Sequence, residues 1–108
     1  MTRALLSQIE SLKQLAASPE YGTLRRMNAN LFERFLFQRP YKSKAFFWIQ
    51  PPKVGTPDAV AFNVVLDDAM SERIKAEATK LDVSLQTFLY TGLVWWLRWH
   101  DLEPGPQE

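Results

Sequence analysis

The first 40 residues carry the hydrophobic pattern of two amphipathic helices. Between residues 4 and 17, apolar residues recur at three- and four-residue steps, on a face that comprises Leu5, Ile9, Leu12 and Ala16. A second helix is predicted to start at residues 18–20, where a serine cap precedes a proline that suits the first helical turn. Its apolar face comprises Leu24, Met27, Leu31, Phe32, Phe35 and Leu36, and Pro40 ends it. The pattern therefore predicts an N-terminal helical hairpin.

A basic and aromatic segment follows the hairpin. Residues 41–44 are polar and basic, and residues 45–49 form an aromatic, β-favouring run that Pro51 and Pro52 interrupt. This run is predicted to be either a short strand or an aromatic loop. Residues 53–58 are rich in turn-forming residues and lack periodicity. We therefore predict an N-terminal extension over residues 1–58, which consists of the hairpin and this linker.

Residues 59–100 have a different pattern, that of one strand followed by two helices. Hydrophobic residues alternate along the strand, with one face comprising Val60, Phe62, Val64 and Leu66 and the other comprising Ala61, Asn63 and Val65. Helical spacing follows at Met70, Ile74, Ala78 and Leu81. Ser84 is a predicted N-cap, and the ridge after it comprises Leu85, Leu89, Leu93 and Leu97. Residues 101–108 are predicted to be a flexible tail, and no internal repeat is evident.

The strand in this second region needs a partner for its backbone hydrogen bonds. A lone strand leaves its N–H and C=O groups unpaired, and about 40 residues bury too little apolar surface to be stable alone. The sequence therefore predicts that two copies of the chain combine. The expected fold class is mostly α-helical with a short strand.

This strand-helix-helix pattern resembles the ribbon-helix-helix family of the Arc and MetJ type over about residues 60–99. The residues that carry the resemblance are Phe62, Asn63, Val64, Val65, Leu66, Ile74, Ala78, Ser84, Leu85, Leu89, Leu93 and Leu97. The resemblance implies an intertwined homodimer, in which the strands of two chains pair into an antiparallel ribbon over four helices. It also implies a dimer core that comprises Phe62, Val64, Leu66, Ile74, Leu85, Leu89 and Leu93.

The resemblance further implies that the protein binds double-stranded DNA through the outer face of the ribbon. In the family, outward strand residues enter the major groove and contact base edges, and here those positions are Ala61, Asn63 and Val65. Asn63 is able to form a bidentate pair with adenine, whereas the other two offer only apolar contact. The family also binds a phosphate at the start of its second helix, which corresponds here to Ser84 and Leu85.

Positive charge is concentrated in the first part of the chain. Residues 1–60 contain nine lysines and arginines and four acidic residues, whereas residues 61–108 contain four and eight. Because phosphate neutralisation supplies much of the affinity for DNA, the basic residues just before the strand are further candidate phosphate contacts. They are Arg39, Lys42, Lys44 and Lys53.

Other features of the composition narrow the range of functions. The chain has no cysteine and one histidine, which argues against metal sites built from these residues, and no cofactor motif is evident. His100 beside Asp101 lacks an organised nucleophile or oxyanion site, so the protein is predicted not to be an enzyme. Neither a signal peptide nor a membrane-spanning segment is evident, and a cytoplasmic location is expected.

Two functions are consistent with these observations. The first is a small homodimeric DNA-binding regulator of transcription: a repressor, an antitoxin-like protein or a plasmid accessory factor. The second is a dimerisation scaffold without specific DNA binding, whose N-terminal half binds a protein partner. The apolar Ala61 and Val65 on the DNA-facing side favour the second. The cluster of Trp95, Trp96 and Trp99 needs a cover, which the N-terminal helices or a protein partner would supply.

Overall fold

The chain folds as two successive strand-helix-helix units. The computed structural model describes residues 2–100, so the predicted tail, residues 101–108, lies outside the described residues. The first unit contains β1 (Thr2–Leu5), α1 (Leu6–Ala16) and α2 (Leu24–Gln38). The second contains β2 (Ala59–Phe62), α3 (Asp68–Lys80) and α4 (Leu85–Trp99). Residues 39–58 connect the two units and include a 3₁₀ turn, Pro40–Lys42. The predicted fold class, mostly α-helical with a short strand, is confirmed.

The strands β1 and β2 pair with each other as an antiparallel ribbon. In register, Thr2 lies opposite Phe62, Arg3 opposite Ala61, Ala4 opposite Val60 and Leu5 opposite Ala59. The expectation that the first helix begins at residue 4 is wrong, because a four-residue strand precedes it. The expectation that β2 lacks a partner within its own chain is also wrong. The strand-helix-helix order repeats even though the sequence shows no repeat of residues.

The strand β2 is shorter than the alternating pattern predicted. It ends at Phe62, and residues 63–67 follow without strand structure. Phe62 and Val64 are buried as predicted, but Val60 is 37% exposed. Val65 is half-buried, and its carbonyl accepts a hydrogen bond from Asn28 Nδ2 at 3.1 Å. The assignment of Val65 to the outer face of the ribbon is therefore wrong.

The second helix begins later than the sequence predicted. The Ser18 carbonyl accepts hydrogen bonds from the N–H groups of Tyr21 and Gly22, which closes a turn before the helix. Gly22 has a φ of 84°, a conformation that favours glycine. Thr23 is the N-cap, and its hydroxyl accepts a hydrogen bond from the N–H of Arg26 at 3.2 Å. The second helix of the second unit, α4, also has a hydroxyl N-cap, and this is Ser84 as predicted.

The four described helices interlock between the two units. The first helix of each unit packs on the second helices of both, since α1 contacts α2 and α4, and α3 contacts α4 and α2. The second helices, α2 and α4, also pack on each other. Buried side chains from both units therefore form one hydrophobic core. Residue 58, the predicted boundary, lies between the two units but does not divide this core.

Most of the residues assigned to a dimer core are buried inside the single chain. The buried ones are Phe62, Val64, Ile74, Leu89 and Leu93, and Leu66 is partly buried against them. Leu85 is 36% exposed and is not part of the core of the single chain. It occupies the first turn of α4, and the buried part of that helix begins two residues later, at Thr87.

The connecting segment is the aromatic loop that was one of two predictions for residues 45–49. Its rings pack around Phe35 of α2 and Phe88 of α4, with Tyr41, Phe46 and Trp48 all within 6.5 Å of the Phe35 ring centre. Hydrogen bonds between the loop backbone and one side chain of α4 also hold the loop in place. The N–H of Ile49 donates to Thr91 Oγ1 at 2.9 Å, and the Thr91 hydroxyl donates to the Ile49 carbonyl at 3.1 Å.

The N-terminal helices cover part of the tryptophan cluster. Trp96 is 1% exposed and lies 6.0 Å from the ring of Tyr21, in the turn between α1 and α2. Trp95 is half-buried and packs at 5.3 Å from Phe35. Trp99 remains 53% exposed. The predicted cover by the N-terminal region is therefore observed for two of the three indole rings.

Gly92 marks the close approach of α4 to α2, and Gly92→Ala is expected to destabilise the fold. A Cβ at this position would lie 2.6 Å from Cε1 of Phe32, whose side chain is fully buried. Overpacking costs about 1–3 kcal/mol, which exceeds the helix-propensity gain of about 1 kcal/mol from replacing glycine. The urea midpoint should fall. The further substitution Phe32→Leu should recover part of this loss, whereas a rise in stability for Gly92→Ala alone would contradict the packing.

Candidate nucleic-acid interface

The outer face of the β1–β2 ribbon is the part of the molecule that corresponds to the predicted DNA-reading surface. Pairs of residues in register share a face of an antiparallel ribbon, so Arg3 and Ala61 lie side by side, next to the pair Leu5 and Ala59. The opposite face carries Thr2, Ala4 and Phe62, which are buried against the helices. The ribbon therefore has one buried face and one outer face, and the outer face carries the cationic side chain of Arg3.

A groove of about 520 Å³ lies beside the Arg3–Ala61 pair of this outer face. Its walls come from the ribbon, the connecting segment and the start of α4. The lining residues are Thr2, Arg3, Gln50, Pro51, Pro52, Lys53, Val54, Ala61 and Gln86. Among the lining residues within the described range 2–100, two are cationic and none is acidic, while two glutamines add neutral donors and acceptors. The groove is therefore suited to an anionic ligand that also offers hydrogen-bonding edges.

The structure brings together some of the predicted base-contact residues and separates others. Ala61 is exposed at the groove, and Asn63 is exposed one residue beyond the end of β2. Val65 lies outside the ribbon, as described above. Arg3 was not identified as a site residue, because the short strand that positions it was read as the start of a helix. No local signal in residues 2–5 identifies Arg3, because the strand that positions it depends on pairing with β2.

The predicted phosphate contact at the start of α4 contains a side chain that is already hydrogen-bonded and backbone donors that are not used within the helix. The Ser84 hydroxyl accepts a hydrogen bond from Thr87 N–H at 3.1 Å and donates to Thr87 Oγ1 at 2.9 Å, so it is engaged as a cap. The backbone N–H groups of Leu85 and Gln86 belong to the first turn, where a helix supplies no acceptor. Asp82 lines a depression beside Ser84 and adds negative charge there. Backbone groups, rather than the serine side chain, are the available donors.

The four basic residues predicted to contact phosphate fall in different places. Lys53 lines the groove on the ribbon. Arg39, in a left-handed conformation after α2, lines a separate depression with Glu77 and Arg73 of α3, and its Nε donates to the Leu36 carbonyl at 3.3 Å. Lys42 and Lys44 follow it and are exposed. Lys53 is thus the basic residue of this group that lines the same groove as Arg3 and Ala61.

Tyr41 anchors the segment that carries Arg39, Lys42 and Lys44 to α3. Its hydroxyl donates to the Glu77 carboxylate at 2.9 Å. Burial, followed by this hydrogen bond, raises the pKa of Tyr41 above its ordinary value, so the phenol stays protonated and remains a donor. The three basic residues therefore extend from a fixed point on the helical layer.

Comparisons of the chain with protein-family models, with curated proteins and with solved structures found no match. Within residues 2–100, none of the helices combines the length and the apolar character that a membrane span requires.

Proposed function

We propose that this protein binds double-stranded DNA with the outer face of the β1–β2 ribbon in the major groove and acts as a small regulator of transcription. Within that class, a repressor, an antitoxin-like protein and a plasmid accessory factor are all consistent with the sequence. The proposal includes base contacts by Arg3 and Asn63 and phosphate contacts by Lys53 and the start of α4, with the exposed Lys42 and Lys44 adding non-specific phosphate neutralisation.

The observation that carries this proposal is the exposed side of the ribbon. On this side Arg3 lies opposite Ala61, and both line a groove together with Lys53. The part of the chain that the structure describes places no acidic residue in the lining of this groove. A two-stranded ribbon has the width that the major groove of B-DNA admits. An arginine on such a ribbon is able to donate two hydrogen bonds to guanine, and a nearby lysine neutralises phosphate. The four interlocked helices support the ribbon, which packs on α1 and α4.

Fluorescence anisotropy tests the proposal directly. The purified protein is titrated against duplex DNA from upstream of its own gene and against a scrambled duplex, at low and near-physiological salt. We expect the native duplex to bind more tightly by a margin that persists at the higher salt. Equal affinities that vanish with salt would mean that only non-specific charge is engaged, and the absence of binding to either duplex would overturn the proposal.

Asn63→Ala is expected to relax sequence preference while leaving non-specific binding in place. The exposed amide of Asn63 is able to form two hydrogen bonds with an adenine, and such a pair contributes about 1–3 kcal/mol of discrimination against other bases. The ratio of affinities for native and scrambled duplexes should fall by roughly 5- to 150-fold. An unchanged ratio would remove Asn63 from the base contacts.

Replacing both Lys42 and Lys44 with alanine is expected to weaken binding to all duplexes alike. These exposed residues carry charge without a defined base-facing geometry, so their contribution is to phosphate neutralisation. The slope of log K against log salt should become shallower by about one for each phosphate that is no longer neutralised. A weakening confined to the native duplex would contradict this role.

A second function, binding of a protein partner, is favoured by a different surface. Phe47 is 80% exposed, and Trp99, which packs on Trp95, is 53% exposed. An apolar groove of about 380 Å³ lies beside the tryptophan-rich end of α4 and includes Phe47, Trp95 and Arg98. Exposed large aromatic residues are typical of protein interfaces. This surface, which includes part of the N-terminal half, is the alternative if duplex DNA does not bind.

A further inference from the structure

We propose that one copy of the chain supplies both halves of the DNA-reading ribbon, and that its DNA site consequently lacks two-fold symmetry. This inference rests on the proposed function for its DNA part. Its structural part rests on the repeated strand-helix-helix order and on the pairing of β1 with β2 in one chain. The expected homodimer would instead pair two copies of β2.

The two units correspond closely in their construction. Each contains a four-residue strand, and each second helix is 15 residues long. Each second helix is also capped by a hydroxyl that accepts from the N–H three residues later, Thr23 from Arg26 and Ser84 from Thr87. The helices interlock in a pattern that is unchanged when the two units are exchanged. One chain thus has the element set of a two-chain ribbon-helix-helix assembly.

The second helices of the two units approach the ribbon differently. The strand β1 packs on α4, and Gln86, in the first turn of α4, lines the groove together with Arg3 of β1. Asn28, in the second turn of α2, donates its hydrogen bond to the Val65 carbonyl, three residues after β2 ends. The start of α4 therefore lies beside the ribbon, where a flanking phosphate of a duplex would be contacted, whereas α2 reaches the chain beyond the end of β2.

The residues at corresponding places in the two halves differ in chemistry. On the ribbon, a guanidinium at Arg3 lies directly opposite the methyl group of Ala61. In the helices, the first turn of α2 carries the exposed Arg25 and Arg26, whereas the first turn of α4 carries Leu85 and Gln86. A symmetric assembly presents identical groups to two half-sites, so its operator is palindromic. In this chain the groups at corresponding places differ, on the strands and at the helix starts, which fits two unlike half-sites.

Cross-linking between paired positions tests whether the ribbon forms within one chain. The chain has no cysteine, so Arg3→Cys with Ala61→Cys introduces the only two thiols, and residues in register have Cβ atoms about 4.5–5.5 Å apart. A short bifunctional thiol reagent should link them within one chain, so the protein should stay at 12.5 kDa on a denaturing gel while its intact mass rises by one linker and neither thiol remains free. Leu5→Cys with Ala59→Cys, the adjacent pair, gives an independent test if the first variant fails to fold.

The single variant Asn63→Cys is the control for this experiment. In an antiparallel ribbon made of two predicted strands, residues 60–66, position 63 is central and lies opposite itself, so this thiol alone would join two chains. In the intrachain ribbon it has no nearby thiol partner, and we therefore expect no two-chain product from it. Two-chain products from Asn63→Cys, or from both double variants, would overturn the intrachain ribbon.

Selection from a random duplex pool, followed by sedimentation of the complex, tests the DNA part. We expect an enriched site without dyad symmetry and one chain bound per site. A palindromic site that binds two chains would overturn the inference while leaving DNA binding intact. If no duplex is enriched and the cross-link still forms within one chain, the proposed function and the asymmetric site fail together, and the intrachain ribbon stands.

Discussion

Replacing Phe35 with alanine is expected to lower the free energy of unfolding by about 3–5 kcal/mol, the range for removing a buried phenylalanine side chain. Phe35 is fully buried near the middle of the aromatic core. Six other aromatic rings lie within 6.5 Å of its ring centre; they are Phe32, Tyr41, Phe46, Trp48, Phe88 and Trp95. These rings come from α2, α4 and the connecting segment. One truncation therefore loosens the packing between both units and the linker.

Urea unfolding followed by far-UV circular dichroism and by tryptophan fluorescence measures this destabilisation. Small domains have total stabilities of about 5–15 kcal/mol, so the variant is expected to retain a folded baseline only at low urea. Phe37→Ala is the matched control, because Phe37 lies on the same helix and is 87% exposed. Its unfolding midpoint should change little. Equal effects of the two substitutions would contradict the packing of α2 against α4 and the linker.

Helical periodicity predicted the interior of α2 correctly because the helix buries one continuous face. Met27, Leu31, Phe32, Phe35 and Leu36 are all buried, as the three- and four-residue spacing indicated. The same pattern was reliable for α3, where Met70, Ile74 and Ala78 are buried. Ser84 was identified as a cap because its hydroxyl acts locally on the next turn. The sequence therefore predicts the buried helix faces and the cap of α4, which depend on residues close together in the chain.

The strand β1 escaped prediction because its sequence favours no strand. It contains only four residues, of which Thr2 is the sole β-branched one, and Ala4 and Leu5 fit the helical spacing that follows. Its strand conformation depends on pairing with β2, which lies almost 60 residues away in the chain. Without this strand, the hydrophobic pattern of the first 40 residues predicts only a hairpin of helices, and the repeated order of strand, helix and helix is not evident from it.

The candidate site was only partly predictable for the same reason. The resemblance, applied to the alternation around β2, implied Ala61 and Asn63, but the groove also depends on residues 50–54 of the connecting segment, which lie beside the ribbon. Nothing local in residues 50–54 indicates that they lie beside Arg3. Val65 was misplaced because an alternating pattern continued after the strand had ended, where Asn28 binds its carbonyl. Long-range pairing, rather than local preference, determines which charges meet at this face.

Arg3→Ala is expected to have the largest effect on specific DNA binding, because Arg3 is the cation on the outer face of the ribbon itself. Removal of a bidentate arginine–guanine pair costs about 1–3 kcal/mol, so affinity for the native duplex should fall roughly 5- to 150-fold. Lys53→Ala should instead weaken native and scrambled duplexes equally, since Lys53 lies on the connecting-segment wall of the groove. Anisotropy titrations over a range of salt concentrations separate the two effects.

Two variants make this comparison decisive. Arg3→Lys keeps the charge but lacks the planar pair of donors, so it should preserve the salt dependence and still abolish most of the preference for the native duplex. Lys13→Ala with Lys80→Ala removes two charges from the last turns of α1 and α3, each of which leads away from a strand of the ribbon. This control should leave both affinity and preference nearly unchanged. If it weakens binding as much as Arg3→Ala does, overall charge and not the ribbon governs the interaction with DNA.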